Sequence, residues 1–286
     1  MSRWKLYILV VLAVGAAVVW SVVFHLLSQA DTLLFVAFDV GQGDALFIQT
    51  ESGAQILIDG GPGDAVLSRL GGVMPFWDRS LDAIILTHPD ADHINGLVEV
   101  LKRYRVGFVL ESGVESASGA YAEWRRIIEE KNIPVVYAAG GQKLVLDEGT
   151  RLSILSPMRS QEGAIVAKAN NASIVLRLDY ENVSFLLTGD IEKSVEQLLG
   201  VLMPQALDTD ILKVGHHGSK TSSSAEFLTA VTPDAAIISA GARNTYGHPH
   251  KEVLTRLEEL AIPIFRTDTG GDVRFRSDGE RVWVVR

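Results

Sequence analysis

The segment His88-Pro89-Asp90-Ala91-Asp92-His93 constrains this chain more than any other. It packs four metal-capable side chains into six residues. Just upstream, residues 81–87 are a short apolar run with β-branched side chains, which predicts a buried strand. Just downstream, Ile94, Leu97, Val98 and Leu101 recur at helical spacing. The cluster therefore belongs on the turn between a strand end and a helix start. Pro89 disfavours the α region for His88 and keeps that turn extended. Two His and two Asp packed this closely need a cation if they are to be buried cheaply.

The donor chemistry is bounded by composition. With no Cys, the chain has no disulfide, thiolate ligand or Cys nucleophile. A metal site must use His and carboxylates, which suit Zn²⁺, Mn²⁺ or Fe. At 286 residues and 47% hydrophobic, the chain can bury a large core in one two-layered domain or two similar halves. Residues 1–30 carry Arg3 and Lys5 and no acid, which leaves 24 basic against 35 acidic residues, a net −11, in residues 31–286. That balance argues against broad electrostatic binding of nucleic acid.

Leu6 to Leu27 is a run of 22 residues with no Asp, Glu, Lys or Arg and no visible polar face. It is long enough to cross a hydrocarbon core. Arg3 and Lys5 precede it, so the positive-inside rule places the N-terminus in the cytoplasm and the rest outside. Residues 1–30 are thus expected to form an uncleaved single-pass membrane anchor. The alternative is a secreted form, since Ser28-Gln29-Ala30 has the small-x-small form of a cleavage site. His25 is expected to snorkel near the outer end.

Beyond the anchor, strands are expected at 33–40, 45–50 and 55–58, the last ending in Asp59-Gly60-Gly61. After His93, strands and helices alternate. The pattern predicts strands at 106–110 and 135–137 around a helix at 120–131, then strands at 142–146 and 151–155. The polar stretch 156–170 reads as the seam between two halves. A hairpin over 172–188 ends in Gly189-Asp190, followed by a helix at 191–202. The strand 210–214 opens into Gly215-His216-His217-Gly218-Ser219-Lys220-Thr221. Pro249 suits the first turn of a helix carrying Val253, Leu254, Leu257 and Leu260. The order suggests two β-plus-α halves packed sheet to sheet with helices outside.

Six of the seven His fall in three clusters, 88/93, 216/217 and 248/250, all beside predicted strand ends or helix starts. Asp59 and Asp190 occupy similar positions. A core histidine is usually isolated, so this pattern favours a metal site.

Several ordered stretches carry a resemblance. They are Phe38-Asp39-Val40-Gly41-Gln42-Gly43-Asp44-Ala45, Leu57-Ile58-Asp59-Gly60-Gly61, the His88 stretch, Asn170-Asn171-Ala172-Ser173, Leu187-Thr188-Gly189-Asp190, Gly215-His216-His217-Gly218-Ser219 and Tyr246-Gly247-His248-Pro249-His250. Over about residues 33–286 the chain resembles metallo-β-lactamase-fold hydrolases, and within them the extracytoplasmic domain of ComEC-type DNA-uptake proteins. The resemblance implies a four-layer αββα sandwich with two divalent ions, Zn²⁺ or Mn²⁺, at one edge. Carried over, His88 and Asp90 would hold one ion; Asp92, His93 and His216 the other; Asp190 would bridge them. Asp59 would orient a ligating His. The two ions would share a hydroxide that attacks the substrate. His248 resembles a late His placed near the scissile phosphate, and with Asp92 it is a catalytic candidate. His217, Ser219 and Lys220 are candidates for substrate contact.

This sequence departs from the superfamily pattern in two places. Asp90 replaces the usual second His of the first motif, and no His lies between His93 and His216. The first ion is therefore expected to sit among oxygens and to be held weakly, with Mn²⁺ favoured. The expected function is a membrane-anchored phosphodiesterase or nuclease, with single-stranded DNA as candidate substrate and DNA-uptake or other membrane proteins as candidate partners. Alternatives are ester, lactone or β-lactam hydrolysis, or non-catalytic binding of a polymer.

Overall fold

The computed structural model describes residues 3–30 and 32–285, with side chains at 3, 6, 9 and 21–30 left aside. Helix α1 covers Arg3–Ala30. Among the described residues, no helix is long and apolar enough to cross a membrane. Much of the expected span 6–27 lies outside the described side chains, as do His25, the cleavage-like Ser28-Gln29-Ala30 and all of Asp31.

The chain then forms β1 (Leu33–Ala37), β2 (Leu46–Gln49), β3 (Gln55–Ile58), α2 (Ala65–Val73), β4 (Ser80–Leu86), α3 (Ala91–Arg103), β5 (Arg105–Glu111), α4 (Gly119–Glu130) and β6 (Val135–Tyr137). It continues through β7 (Lys143–Val145), β8 (Thr150–Ser156), β9 (Val175–Tyr180), β10 (Val183–Leu187), α5 (Lys193–Leu202), β11 (Ile211–Lys213) and α6 (Ala225–Val231). It closes with β12 (Ala235–Ile238), α7 (Lys251–Glu259), β13 (Ile264–Arg266), β14 (Val273–Ser277) and β15 (Val282–Val285). One sheet runs β15-β14-β1-β2-β3-β4-β5-β6 and the other β13-β12-β11-β10-β9-β8-β7.

Three apolar layers separate four layers of structure. Phe35, Ile48, Ile58, Ile85, Leu176, Phe185 and Ile237 fill the space between the sheets. Leu57, Ile84, Leu97, Leu101 and Trp124 join the first sheet to α2, α3 and α4. Leu186, Leu199, Leu212, Phe227 and Leu257 join the second sheet to α5, α6 and α7. Each large aliphatic or aromatic side chain buried this way contributes about 1.5–3 kcal/mol relative to exposure. Strands buried on both faces, such as β3, β10 and β12, therefore give the expected αββα sandwich.

The seam between halves is not at 156–170. β7 and β8 already belong to the second sheet, because β8 pairs with β9. The chain changes sheets between Tyr137 and Lys143, and β14 and β15 return to the first sheet beside β1. Periodicity marks which face of a strand is buried, not which sheet receives it. α7 begins at Lys251 with His250 as its N-cap, so Pro249 stands before the helix rather than in its first turn.

Two close approaches set the edge that matters. A Cβ on Gly96 of α3 would stand 1.8 Å from the Gly60 carbonyl, and one on Gly43 would stand 2.1 Å from the Asp92 carbonyl. These glycines let the start of α3 press against the loops after β1 and β3. Gly96→Ala should therefore lower stability by at least the about 1–3 kcal/mol of an overpacked core. Gly71→Ala in α2, where a Cβ meets nothing within 4 Å, should be neutral or add about 0.5–1 kcal/mol. Thermal unfolding of the two variants side by side checks this, and equal midpoints would refute it.

Candidate metal centre

The ends of four parallel-running strands converge on one edge. β3 delivers Asp59, β4 delivers Thr87 and His88, β10 leads to Asp190, and β11 leads to the turn Gly215–Gly218. The first turn of α3 adds Asp92 and His93. Asp59 has φ +58°, and His216 and His217 have φ +48° and +54°. Such left-handed backbone costs roughly 1 kcal/mol or more per non-Gly residue. Here it turns functional side chains inward at a strand end.

Hydrogen bonds fix three imidazoles with the same nitrogen facing the centre. Asp59 Oδ2 lies 2.7 Å from His93 Nδ1, and Asp59 also accepts from Thr87 N at 2.9 Å and Thr87 Oγ1 at 2.6 Å. With the Thr87 hydroxyl spent on Asp59, His88 Nδ1 donates towards Thr87 Oγ1 at 3.1 Å or Ser173 Oγ at 3.3 Å. His217 Nδ1 donates to the Ser239 carbonyl at 3.0 Å. Each Nδ1 is thereby the proton carrier, leaving Nε2 as the free donor atom.

Those free atoms have no hydrogen-bond partner in the protein. His88 Nε2, His93 Nε2, His217 Nε2, Asp190 Oδ1 and Asp44 Oδ1 are all buried without one. Orphaned buried polar atoms are costly, so a cluster of them asks for a ligand. The spacing suits a cation. A tetrahedral ion with bonds of about 2.1 Å places its donors about 3.4 Å apart. His217 Nε2 lies 3.2 Å from Asp190 Oδ2 and 3.4 Å from Asp92 Oδ2, and His93 Nε2 lies 3.4 Å from Asp190 Oδ2. On the other side, His88 Nε2 lies 3.6 Å from Asp90 Oδ2. His88, His93 and Asp190 form one candidate metal group; Asp92, His93 and His217 form another.

The electrostatics fit the same demand. Burial alone would lower His93, but Asp190 and Asp59 hold it well above its ordinary value. Burial is likewise outweighed at His217 by Asp190 and Asp44. Burial would raise Asp190, yet His217 and His93 keep it well below the usual carboxylate range. His88 is pushed by burial, and by the neighbouring His93, down to about 3, because Asp190 and Asp92 offset only part of that push. Burial, with Asp92 and Asp190 nearby, raises Asp90. Without a cation, protons on His93 and His217 balance the buried acids.

Where the sequence placed each candidate, the structure makes one exchange. His217, expected to touch substrate, is 1% exposed and meets Asp92 and Asp190. His216, expected on the second ion, is 22% exposed at its side chain and stands 3.9 Å from Asp190 Oδ2. Its Nε2 is 3.2 Å from Asn170 Nδ2. Adjacent left-handed residues leave one ring buried against Asp190 and the other partly exposed beside it, and sequence order could not say which ring goes where. His88, Asp90, Asp92, His93 and Asp190 are brought together as expected, with Asp59 behind His93. His248 is half-buried, with its ring 5.5 Å from that of His216 and 6.2 Å from that of His217. Ser219 is buried and bonds Thr221 at 3.0 Å. Lys220 is exposed, and its backbone N–H reaches His250 Nδ1 at 3.3 Å.

Asp44 and Lys213 form a contact that sequence pattern alone does not point to. Lys213 Nζ, wholly buried, bonds Asp44 Oδ2 at 2.8 Å and the Val214 carbonyl at 3.1 Å. Burial would raise Asp44, but Lys213 and His217 hold it below the usual carboxylate range. Asp44 Oδ1 lies 3.5 Å from His217 Nδ1. The signal was present in the Gly-Gln-Gly-Asp turn and in a lysine inside an apolar strand. Only the tertiary structure joins two residues 169 positions apart.

A family model for the metallo-β-lactamase superfamily matches residues 38–242, and the chain belongs to that superfamily. ComE operon protein 3 of Bacillus subtilis (strain 168) is 35% identical over 262 residues, covering 83% of this chain and 32% of that protein. Recombination protein 2 of Haemophilus influenzae is 35% identical over 257 residues, covering 86% of this chain and 28% of that protein. The chain thus spans about a third of the length of the curated relatives it matches. Among solved structures, Igni18, a metallo hydrolase of the archaeon Ignicoccus hospitalis, aligns with a TM-score of 0.53 at 15% identity, covering 85% of this chain and 98% of that one. The chain is thus a metallo-β-lactamase-fold domain related to competence proteins.

Protons and cations should compete for this centre. Both His93 and His217 titrate above their ordinary value in the metal-free fold, so each loses a proton when its Nε2 takes a cation. Apparent metal affinity should rise by roughly tenfold to a hundredfold per pH unit below those values. Calorimetry in buffers of different ionisation enthalpy should report proton release. Stability of the metal-free protein should run the other way. A raised folded pKa adds stability that is full below the ordinary value of 6.5 and lost as pH rises through the folded value. A pH-independent metal affinity would contradict both expectations.

Proposed function

We propose that this chain is a phosphodiesterase acting on nucleic acid, loaded with two divalent ions, Zn²⁺ or Mn²⁺, and anchored in the cell membrane by residues 6–27 with residues 31–286 outside. The observation that carries the reading is Asp190, a buried carboxylate flanked by donors of two incomplete ion sites. His88 Nε2 and Asp90 would hold the first ion with Asp190, and His216 is the nearest further imidazole. Asp92, His93 and His217 would hold the second with Asp190. The first site has more oxygen and fewer buried nitrogens, so it should bind more weakly and favour Mn²⁺.

A divalent cation there supplies Lewis acidity, moving the pKa of water from 15.7 towards roughly 7 and polarising a phosphoryl oxygen. The protein's own part is orientation and proton handling. Asp59, Thr87, Ser173 and Ser239 aim the three buried Nε2 atoms inward. His248 is pushed by burial and the neighbouring His217 and His216 down to about 4, so it is neutral at pH 7. Gln42 Nε2 lies 3.5 Å from His248 Nδ1. Donation from that amide leaves the proton on His248 Nε2, where it can hydrogen-bond a leaving oxygen or a phosphoryl oxygen as negative charge develops there. Asn244 holds the loop: its Oδ1 accepts from His248 N at 2.9 Å and its Nδ2 donates to the His248 carbonyl at 2.6 Å.

Phosphate is favoured as the substrate group by the loop after His217. Exposed Lys220 supplies a cation, and Ser219 and Thr221 supply hydroxyls. The names of two relatives, a recombination protein and a competence protein, support nucleic acid in the same direction. The anchor is supported by the uncharged run 6–27 and by the exposure of Tyr7, Val11, Leu12, Val14, Val18 and Trp20 along α1. Among the described residues, none covers those side chains.

Three variants test the proposal together, with metal content recorded for each. Asp190→Ala should abolish cleavage of single-stranded DNA and of bis(p-nitrophenyl) phosphate, because both ions lose their shared ligand. His248→Ala should retain its metal and lower kcat by about 10²–10⁴-fold. Lys220→Ala should mainly raise KM and flatten its salt dependence, as a phosphate contact does. Wild-type activity in Asp190→Ala would sink the mechanism, and loss of metal in His248→Ala would make that residue a ligand instead.

A further inference from the structure

We infer that the edge of the sandwich opposite the metal centre rests on the lipid bilayer, with Phe76 and Trp77 entering its interfacial layer. This builds on the reading of residues 6–27 as a membrane anchor. Phe76 is 80% exposed and Trp77 is 73% exposed. Their rings meet edge to face with centroids 4.8 Å apart. The two form one apolar knob whose main contact is with itself. Aromatic rings, Trp above all, favour the headgroup level of a bilayer, where an apolar body and a polar tip are both accommodated.

Topology places this knob. It lies on the connection from α2 into β4, whose other end leads to His88. The seven residues of β4 put about 23 Å between those two edges. β1 starts at the same edge as β4. The registers Leu34↔Gln49, Gln49↔Gln55 and Ile56↔Ala83 carry the alignment across three strand steps, about 14 Å. α1 ends at Ala30, and Leu33 opens β1. A connection this short spans about 10 Å at most. A membrane-held α1 therefore delivers this edge to the bilayer and leaves the metal centre facing away.

Charge supports one flank of the edge. Arg79 and Arg105 are exposed beside the knob, joined through Arg105 N to the Arg79 carbonyl at 2.8 Å. Arg79 donates to Tyr104 Oη at 2.8 Å and stacks 5.4 Å above that ring. Among the described residues, neither arginine forms a salt bridge within 4.0 Å. Both can reach lipid phosphates. The turns under the neighbouring strands are acidic: Tyr180 Oη donates to Glu51, Ser52 to Asp147, and Asn182 Nδ2 to Glu280. These acids keep the remainder of the edge off the headgroups, so the contact is confined to the Phe76–Trp77 flank.

The absence of Cys makes the test direct. The full chain carrying Trp77→Cys, or Ala117→Cys at the exposed rim of the metal edge, is spin-labelled and reconstituted in vesicles of phosphatidylcholine and phosphatidylglycerol. Flotation is read first, then collision of the label with oxygen and with a water-soluble nickel chelate. The expected result is flotation of both proteins, with oxygen favoured over nickel several-fold at position 77 and the reverse at 117. Flotation with position 77 open to nickel would overturn this inference and leave the anchor intact. Failure to float would overturn the anchor and this inference with it. A label at 77 shielded equally without vesicles would assign the knob to a protein contact instead.

Discussion

The structure depends on a burial that the protein cannot complete by itself. Asp190 is almost fully buried, with His93 and His217 within salt-bridge distance. Three imidazoles offer it the same free nitrogen, and none has a protein partner for that atom. A buried acid cluster is tolerable only with a cation or with protons on the imidazoles. The fold supplies both options, which is why ion binding and protonation are coupled here. The left-handed backbone at Asp59, His216 and His217 is strain retained to create that demand.

The scaffold makes the arrangement repeatable from two directions. β3 and β4 bring Asp59 and His88 from one sheet; β10 and β11 bring Asp190 and His217 from the other. The apolar layer between the sheets, centred on Phe35, Phe185 and Phe275, holds those ends in register. The buried Lys213–Asp44 pair is a second tie across the gap. Removing one member would strand the other charge in the core, a cost of about 3–5 kcal/mol. Asp44 also faces the Nδ1 side of His217, so the same pair that joins the sheets backs a candidate ligand.

The two ends of the sandwich have different chemistry. The edge with the histidines is polar, backed by hydrogen bonds and open beside His248. The opposite edge carries acidic turns, an aromatic knob and the junction with α1. The parallel strands β3–β6 and β10–β13 create this polarity, because crossover helices return each of them to the same starting edge.

Much of the centre was legible in the sequence. His88, Asp90, Asp92 and His93 lie within one strand-turn-helix junction, where local pattern alone fixes their neighbourhood. Asp59 and Asp190 were legible for the same reason, as acids followed or preceded by glycine at strand ends. The order of strands and helices suggests two β-plus-α halves packed sheet to sheet, and the resemblance implies the four layers. Three things needed the tertiary structure. The sheet that receives β7 and β8 is a matter of long-range pairing, which periodicity does not encode. The exchange of His216 and His217 depends on two successive left-handed residues, a backbone choice with no composition signal. The Lys213–Asp44 pair and the Gln42–His248 contact join residues 169 and 206 positions apart, and only the packing of one sheet on the other brings such pairs within reach.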